Sequence, residues 1–295
     1  MRLASKHTVN NYQRDLQRFV EFASNLQKCT HQELAISHIN RELIQDWLVA
    51  THTQGLAPAT LARRLSSVKS LFGFALRHKH CAENPALGIR APKLGKRLPK
   101  TLPPQQTAHL LSHTQRNFDT RELGLMALLY GCGLRVSEVV GLNLSDLSMN
   151  RQNKVGEVRV LGKGNKERIV PLPDLAVTLI DDWLKERGNL LPKEDALFIN
   201  RFGKRLSARS VQRMLKGRAM ETGADASVTP HRLRHSFATD MLAGGANLRT
   251  IQKFLGHASL ATTEHYTHVT LPQLQQTYTD AHPRSTKSKV KNHEQ

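Results

Sequence analysis

The chain of 295 residues has few cysteines, few aromatic residues and no long apolar run. Its three cysteines, Cys29, Cys81 and Cys132, are an odd number without CxxC spacing, which argues against a disulfide framework and against a thiolate metal site. No stretch approaches the roughly 18 apolar residues that a membrane-spanning helix needs. Hydrophobic residues still make up 39% of the chain, which is enough to bury cores. The sequence therefore predicts a soluble globular protein.

Acidic residues are also scarce, since 24 Asp and Glu accompany 43 Lys and Arg and leave a formal net charge of +19. Such a charge disfavours the compact state through self-repulsion and is tolerated when the phosphates of a partner neutralise it. Nucleic acid is the favoured partner. An acidic membrane surface is the alternative, but the basic residues are dispersed rather than gathered on one amphipathic helix. Residues 1–18 are polar and contain no export leader, so we expect a cytoplasmic protein.

The first of two predicted domains, residues 1–90, has the pattern of an all-helical bundle. Apolar residues recur at spacings of three and four in three segments, at 8–28, 40–51 and 58–79. Asn40 is placed to cap the second helix and Pro58 to begin the third. The polar faces of these helices fit a surface that lies on phosphates, with basic residues at Arg63, Arg64, Lys69, Arg77 and Lys79.

Residues 91–104 are basic and rich in proline, and we interpret them as a linker to a second domain at residues 105–281. Residues 155–172 change to a strand pattern around a polar turn and predict a hairpin. Residues 282–295 are expected to be a disordered basic tail. Helical patterns in the second domain fall at 105–116, 120–131, 174–187, 207–222, 230–243, 248–255 and 260–269, with a last short helix within 271–281. The fold class is mainly α, with a small antiparallel sheet in a mixed α+β second domain.

Two segments place a cation at a turn. In GCGLRVSE two glycines end one helix and Arg135 begins the next, where its guanidinium and nearby backbone N–H groups can bind one phosphate. An ion pair between Arg135 and Glu138 on a solvated helix is the alternative. Lys163 lies in the hairpin turn and can reach into a DNA groove, although a solvated lysine is the commoner outcome at such a turn.

A third cationic segment begins at Thr229 and Pro230, which predict the N-cap and the first residue of a helix. His231 and Arg234 are three residues apart and share one face at the positive end of this helix. A solvated basic face is the alternative. Repulsion from the helix dipole disfavours that alternative unless an anion is bound, so this segment predicts an anion site.

A fourth segment carries a candidate nucleophile. Gly256 ends a helix and places His257 in a turn, and Tyr266 follows nine residues later. A phenol with a pKa near about 10 is a weak nucleophile unless a base or cations assist it, and the other three segments supply cations. Taken alone, Tyr266 would more often be a core or interface tyrosine.

Together and in this order, the motifs GLRVSE, GKGNKER, HRLRH, LGH and YTH resemble those of the tyrosine site-specific recombinases of the phage integrase family. The segment YTDAHPR at residues 278–284 is similar to the Xer subgroup, and within it to the XerC type. The resemblance spans nearly the whole chain. It implies a SAM-like core-binding domain, which clamps DNA, before a catalytic domain.

The resemblance implies that Tyr266 attacks a phosphodiester of duplex DNA, forms a 3′-phosphotyrosyl link and releases a 5′-hydroxyl. Because the bond energy is retained, rejoining needs no ATP. Side-chain cations take the part that metal ions play in many nucleases, so the resemblance implies no metal and no other cofactor.

The cations receive their roles from the same resemblance. Arg135 and Arg234 would neutralise charge on the phosphate oxygens, and His231 would assist by hydrogen bonding or as a general base. Lys163 would protonate the leaving 5′-oxygen. His257 would donate a further hydrogen bond to the phosphate.

Family membership would also imply partners, namely a recombination site in duplex DNA, a XerD-type recombinase in a heterotetramer and an FtsK-type septal translocase as regulator. The task would be the resolution of chromosome dimers at cell division, and residues 271–281 would dock on a neighbouring subunit. Three alternatives are a recombinase or integrase of a mobile element, a DNA-binding relative without catalysis, and a type IB topoisomerase.

Overall fold

The structure, a computed structural model, describes residues 6–92, 102, 106–107, 110, 119–162, 166–256 and 277–282. The chain divides into two compact units, Met1–Leu98 and Pro99–Gln295. The predicted helix at 260–269 and the predicted tail beyond His282 lie outside the described residues. None of the described helices combines the length and the apolar character that crossing a membrane requires.

The first unit is a bundle of helices α1 (Lys6–Gln27), α2 (Arg41–Thr53) and α3 (Pro58–Arg77), with a 3₁₀ turn at Ile36–His38. The sequence predicts all three helices to within two residues. Asn40 caps α2 by accepting a hydrogen bond from the backbone N–H of Leu43 (2.9 Å). The helices bury one apolar face each in a common core that includes Phe19, Ala23, Ile44, Trp47, Leu65, Val68 and Phe72.

Arg64 does not lie on the polar face where the sequence places it. Its side chain is 5% exposed, donates a hydrogen bond to Thr51 Oγ1 (2.8 Å) and lies over the ring of Trp47 at 5.6 Å. Its Nε is 4.0 Å from the buried carboxylate of Asp15, which also pairs with Arg63. A buried cation needs such partners, because desolvation disfavours its charged form and lowers the pKa of Arg64. Arg64 therefore links α3 to α1 and α2.

The second unit contains a three-stranded antiparallel sheet in the order β1 (Leu147–Asn150), β2 (Val155–Leu161), β3 (Glu167–Leu172). Strands β2 and β3 form the predicted hairpin, with Val158 opposite Val170. Strand β1 is too short for alternation to reveal it in the sequence. Residues 158, 160 and 170 are buried on one face of the sheet, which packs against helices of the same unit.

The described helices of this unit follow the predicted segments closely, whereas most of the predicted helix at 105–116 lies outside the described residues. Helix α4 (Thr120–Met126) continues into a π-helical stretch at Ala127–Gly131, in which the backbone N–H of Cys132 donates to the carbonyl oxygen of Ala127 (3.1 Å). The remaining helices are α5 (Val136–Gly141), a 3₁₀ turn (Leu144–Asp146), α6 (Asp174–Gly188), α7 (Ala208–Thr222), α8 (Pro230–Ala243) and α9 (Leu248–Leu255).

Residues 277–282 pack against the unit to which they belong. The rings of Tyr278 and His282 stack at 4.5 Å, and His282 also contacts Tyr130 (5.2 Å) and Phe237 (5.7 Å). Residues 277–281 are helical, whereas 271–276 lie outside the described residues. The sequence predicts that residues 271–281 dock on a neighbouring subunit. In the isolated chain, residues 277–281 of that segment pack on their own subunit.

Asp240, in α8, is a buried carboxyl that accepts a hydrogen bond from Tyr130 Oη (2.8 Å). Burial raises the pKa of Asp240 and outweighs the opposing effect of the Tyr130 hydrogen bond. A raised folded-state pKa means that this group favours the folded state at acidic pH, and that this stabilisation is lost as the pH rises through the folded value.

Asp240→Asn keeps an acceptor for Tyr130 and removes the buried charge, so we expect it to raise the melting temperature at pH 7 by roughly 2–4 °C. The gain should shrink as the pH falls, because protonation of the native carboxyl removes the same buried charge. Thermal unfolding across pH 4–8 measures both effects. A melting temperature lower than that of the parent protein at pH 7 would contradict this assignment.

Candidate active site

Arg135 lies at the N-terminus of α5 and is held at one edge by a buried carboxylate. Its backbone N–H donates to Glu138 Oε2 (2.8 Å) and its Nη1 donates to Glu138 Oε1 (2.9 Å). Nη1 also donates to the carbonyl oxygen of Leu255 (3.3 Å). The Arg135–Glu138 ion pair is therefore present, but Glu138 is 7% exposed and belongs to no solvated helix face. The Arg135 side chain remains 37% exposed.

Arg234 reaches the same point from α8. Its side chain is buried, its Nη1 donates to the carbonyl oxygen of Gly133 (2.5 Å), and its Nη2 donates to the carbonyl oxygen of Leu255. Nη1 also lies 3.8 Å from Glu138 Oε2. The structure thus brings the guanidinium groups of Arg135 and Arg234 together at one carbonyl oxygen, although the two residues are far apart in sequence.

The first turn of α8 determines how deeply its basic side chains are buried. Thr229 caps the helix by accepting from the backbone N–H of Arg232 (3.2 Å), and Pro230 is the first helical residue, as the sequence predicts. His231 is exposed in the first turn, while Arg234 points inward. The two predicted site residues therefore share the start of one helix but differ in burial, with His231 exposed and Arg234 buried.

Arg168, in β3, is a third guanidinium at the site, and sequence reasoning gives it no role. Its Nη1 and Nη2 donate to Glu138 Oε1 (3.0 Å) and Oε2 (2.9 Å), and its Nε donates to the carbonyl oxygen of Phe254 (3.2 Å). The alternation of the strand could have revealed it, because Arg168 is two residues from the buried Val170 and therefore lies on the same face of β3. An arginine at an inward strand position needs a buried acid as partner.

Electrostatically, the site has an excess of positive charge, since three guanidinium groups surround one carboxylate. Burial acts to raise the pKa of Glu138, but hydrogen bonds from Arg168 and Arg135 outweigh burial and hold that pKa below its usual range. Burial, followed by repulsion from Arg135, lowers the pKa of Arg234 to about 10, so Arg234 stays protonated at neutral pH. An anion bound here would relieve the repulsion.

The C-terminus of α9 completes the arrangement. The carbonyl oxygens of Phe254 and Leu255 accept hydrogen bonds from the three arginines, and Gly256 ends the helix in the left-handed conformation (φ 59°). The negative end of a helix dipole stabilises cations, so α9 supports the guanidinium groups from one side.

Lys163, His257 and Tyr266, the other predicted site residues, lie outside the described residues. The residues that precede two of them are described and adjoin Arg168. A Cβ built on Gly162 would lie 3.4 Å from Arg168 Nη1, and one built on Gly256 would lie 3.0 Å from Arg168 Cζ. Within the described part of the chain, no group of three His, Cys, Asp or Glu side chains could hold a metal ion.

Two family comparisons match this chain. Residues 100–271 match the phage integrase family, and residues 1–79 match the N-terminal SAM-like domain of phage integrases. Together these matches cover most of the chain.

Similar full-length proteins include tyrosine recombinase XerC of Actinobacillus pleuropneumoniae serotype 7 (strain AP76), 41% identical, with 97% of this chain and 91% of the relative covered. XerC of Alcanivorax borkumensis (strain SK2) is 42% identical, with 98% and 92% covered. Tyrosine recombinase XerD of Halalkalibacterium halodurans (strain C-125) is 38% identical, with 95% and 93% covered.

Among solved structures, the XerH recombinase in a pre-cleavage complex with difH substrate is similar, with a TM-score of 0.67 and 26% identity over 85% of this chain and 74% of that one. The Tn1549 transposon integrase in complex with transposon right end DNA has a TM-score of 0.69 at 20% identity, covering 99% of this chain and 95% of that one. The second likeness concerns the fold alone.

Gly133 provides a test of the packing beneath Arg234. It has a φ of +63°, and a Cβ at this position would lie 2.4 Å from Phe237 Cδ1. We expect Gly133→Ala to destabilise the protein by about 2–4 kcal/mol, through left-handed strain and overpacking.

Gly217→Ala is the matched control, because Gly217 lies in α7 with open space around its Cβ position. Here a helix-favouring residue should stabilise the protein by up to about 1 kcal/mol. Chemical denaturation of both variants measures the contrast, and similar values for the two would show that the Gly133 contact is misplaced.

Proposed function

The chain belongs to the phage integrase family and is a tyrosine recombinase, an enzyme that cleaves and rejoins DNA, and from this premise we propose that it resolves chromosome dimers at a specific DNA site together with a XerD-type recombinase. The convergence of Arg135 and Arg234 on one carbonyl oxygen carries the chemical part of this proposal. The XerC relatives support its biological part, because they are about as long as this chain and similar throughout.

The two guanidinium groups suit a phosphate in the transition state of strand cleavage. Arg135 is anchored through Nη1, and among the described residues none accepts a hydrogen bond from its Nε or Nη2. That edge is available for a bidentate contact with non-bridging phosphate oxygens. Because Glu138 and Leu255 fix both guanidinium groups before DNA binds, little reorganisation is needed as negative charge develops.

In the proposed reaction, Tyr266 Oη attacks the phosphorus, so that the bond from phosphorus to Oη forms and the bond to the 5′-oxygen breaks. Lys163 gives its proton to the leaving 5′-oxygen, and His231 takes the phenol proton as general base or, where it hydrogen-bonds to the phosphate instead, the phenol proton passes to water. His257 donates a further hydrogen bond to the phosphate. Rejoining reverses these steps with a 5′-hydroxyl of the partner strand. These roles rest on the motif positions of the residues.

A basic helix supports binding of duplex DNA by the same unit. Helix α7 buries Val211 and Leu215, and on its outer side it exposes Arg209, Gln212, Arg213 and Lys216. Such a stripe fits the phosphates and base edges of a DNA groove. The similar XerH recombinase is itself bound to its difH substrate.

The proposal also includes domains and partners. Residues 1–90 act as the DNA clamp, 91–104 as the linker, 105–281 as the catalytic domain and 282–295 as the tail. A heterotetramer with the XerD-type recombinase acts on two duplexes, and an FtsK-type septal translocase regulates it.

Tyr266→Phe tests the nucleophile. On a nicked suicide substrate, we expect the covalent protein–DNA adduct to disappear, because phenylalanine has no oxygen to attack the phosphorus. DNA affinity should stay within about twofold of that of the parent, since the exposed cations that neutralise phosphates are unchanged. Adduct gels and binding titrations measure the two quantities.

Tyr12→Phe, a change in α1 of the first unit, is the matched control and should form adduct at the parental rate. If the Tyr266→Phe protein still forms adduct, another residue is the nucleophile. Recombination of a candidate site that requires an added XerD-type protein would support the proposed pairing, and recombination by this chain alone would count against it.

Salt dependence tests the phosphate contacts of α7. Affinity for DNA should fall by roughly 10³-fold or more between about 50 and 200 mM salt, as it does for proteins with six or more phosphate contacts. Arg213→Ala should weaken binding to all sequences and reduce the slope of log affinity against log salt by about 1.

Lys185→Ala is the control, because Lys185 in α6 already pairs with Asp181 (3.0 Å) and Asp182 (3.1 Å). It should leave the slope unchanged. An equal slope for Arg213→Ala and the parent protein would remove Arg213 from the DNA surface.

A further inference from the structure

Arg168 contacts the elements around the candidate site, yet the proposed mechanism gives it no role. Its side chain is 14% exposed and its planar guanidinium binds both oxygens of Glu138, at 3.0 and 2.9 Å. Its Nε donates to the carbonyl oxygen of Phe254 in the last turn of α9. Glu138 in turn pairs with Arg135 and lies 3.8 Å from Arg234. One side chain of β3 therefore connects α5, α8 and α9.

Two glycines bring further segments against the same guanidinium. The Cβ position of Gly162 is 3.4 Å from Arg168 Nη1, and Gly162 immediately precedes Lys163. The Cβ position of Gly256 is 3.0 Å from Arg168 Cζ and Nε, and Gly256 immediately precedes His257. Arg168 thus lies close to Gly162 and Gly256, the described residues that precede Lys163 and His257 in the sequence.

We propose that Arg168 is a positioning residue for strand cleavage, which fixes the pair Arg135 and Arg234 relative to the segments that carry Lys163 and His257. The inference rests on the proposed function. Arg168 acts through Glu138 and through its contacts with the backbone of α9 and the hairpin. It need not touch DNA.

The chemistry of the pair explains why an arginine is required. Arg168 presents three N–H directions in one plane and uses them on two carboxylate oxygens and one carbonyl oxygen. A lysine supplies the charge as a single point and cannot make these contacts at once. Arg168→Lys therefore separates fixed geometry from charge.

Arg168 also determines how the hydrogen bonds to the Glu138 carboxylate are divided among the three arginines. Because Arg168 donates to both carboxylate oxygens, the side chain of Arg135 donates to Glu138 through Nη1 alone. Its Nε and Nη2 can then donate to a phosphate. Without the bidentate contact from Arg168, only Arg135 and Arg234 remain to pair with the buried carboxylate of Glu138, and their guanidinium groups then turn further towards it. The expected defect is in the rate of cleavage, with DNA affinity preserved.

The experiment compares full-length parent, Arg168→Lys and Arg159→Lys proteins in single-turnover adduct formation with saturating suicide DNA, with DNA affinity and melting temperature measured alongside. Arg159 is a matched control, because it lies on β2 with an exposed ion pair to Asp146 (3.2 Å). We expect Arg168→Lys to cleave at least about 100-fold more slowly, the loss that a displacement of about 1 Å can cause. Its DNA affinity should stay within about threefold, and Arg159→Lys should match the parent.

Arg168→Met distinguishes positioning from simple charge balance, because it removes the charge of Arg168 whereas Arg168→Lys keeps it. If Arg168 only neutralised Glu138, Arg168→Lys would cleave like the parent and only Arg168→Met would be slow. We expect both variants to be at least about 100-fold slow, and Arg168→Met to have the lower melting temperature because it leaves Glu138 with one partner fewer.

A substrate with a bridging 5′-sulfur tests the link to Lys163. A thiolate leaves without protonation, so this substrate should recover at least about tenfold of the Arg168→Lys defect if part of that defect is a displaced general acid. Absence of any recovery would overturn the link between Arg168 and the hairpin segment.

Two outcomes would overturn the proposal as a whole. They are an Arg168→Lys rate within about threefold of the parent, whether or not Arg168→Met is slow, and a loss of DNA affinity that accounts for the whole loss of rate. Failure of the proposed function looks different, because the parent protein would then form no Tyr266-linked adduct and the Arg168 role would fall with it.

Discussion

One buried carboxylate organises the second unit of this recombinase. Glu138 caps α5 through the backbone N–H of Arg135, pairs with the side chains of Arg135 and Arg168, and lies near Arg234. Desolvation of one charge among three of opposite sign is tolerable because every partner also hydrogen-bonds to a carbonyl oxygen or to the carboxylate itself. The positions of α5, α8 and β3 around the end of α9 depend on this cluster.

The charges of this cluster do not balance, and the excess of positive charge suits the binding of an anion. Three guanidinium groups with one carboxylate leave about two positive charges for which the described residues supply no counterion at the site. The fold tolerates their repulsion because the carbonyl oxygens of Gly133, Phe254 and Leu255 accept their hydrogen bonds. A phosphate entering such a site finds its donors already oriented, which is the condition under which electrostatic stabilisation accelerates a reaction most.

The sequence was sufficient for the elements and the family, and insufficient for the contacts between distant residues. Local rules predicted the caps at Asn40 and Thr229 and the β2–β3 hairpin, because each depends on neighbours within a few residues. The burial of Arg64 was missed, since a helical pattern that counts only apolar residues assigns every arginine to the outer face. Arg168 was missed because its partner Glu138 is thirty residues away in the chain and only the folded sheet brings them together.

The π-helical stretch at Ala127–Gly131 sets the direction in which the chain enters the candidate site. A π-helical stretch accommodates about one extra residue within an otherwise α-helical path. Each residue of an ordinary helix turns the backbone by about 100°, so deleting one residue here would swing the Gly133 carbonyl and the start of α5 to another side of the helix axis. The one extra residue of this stretch therefore sets the direction from which Arg135 approaches the guanidinium group of Arg234.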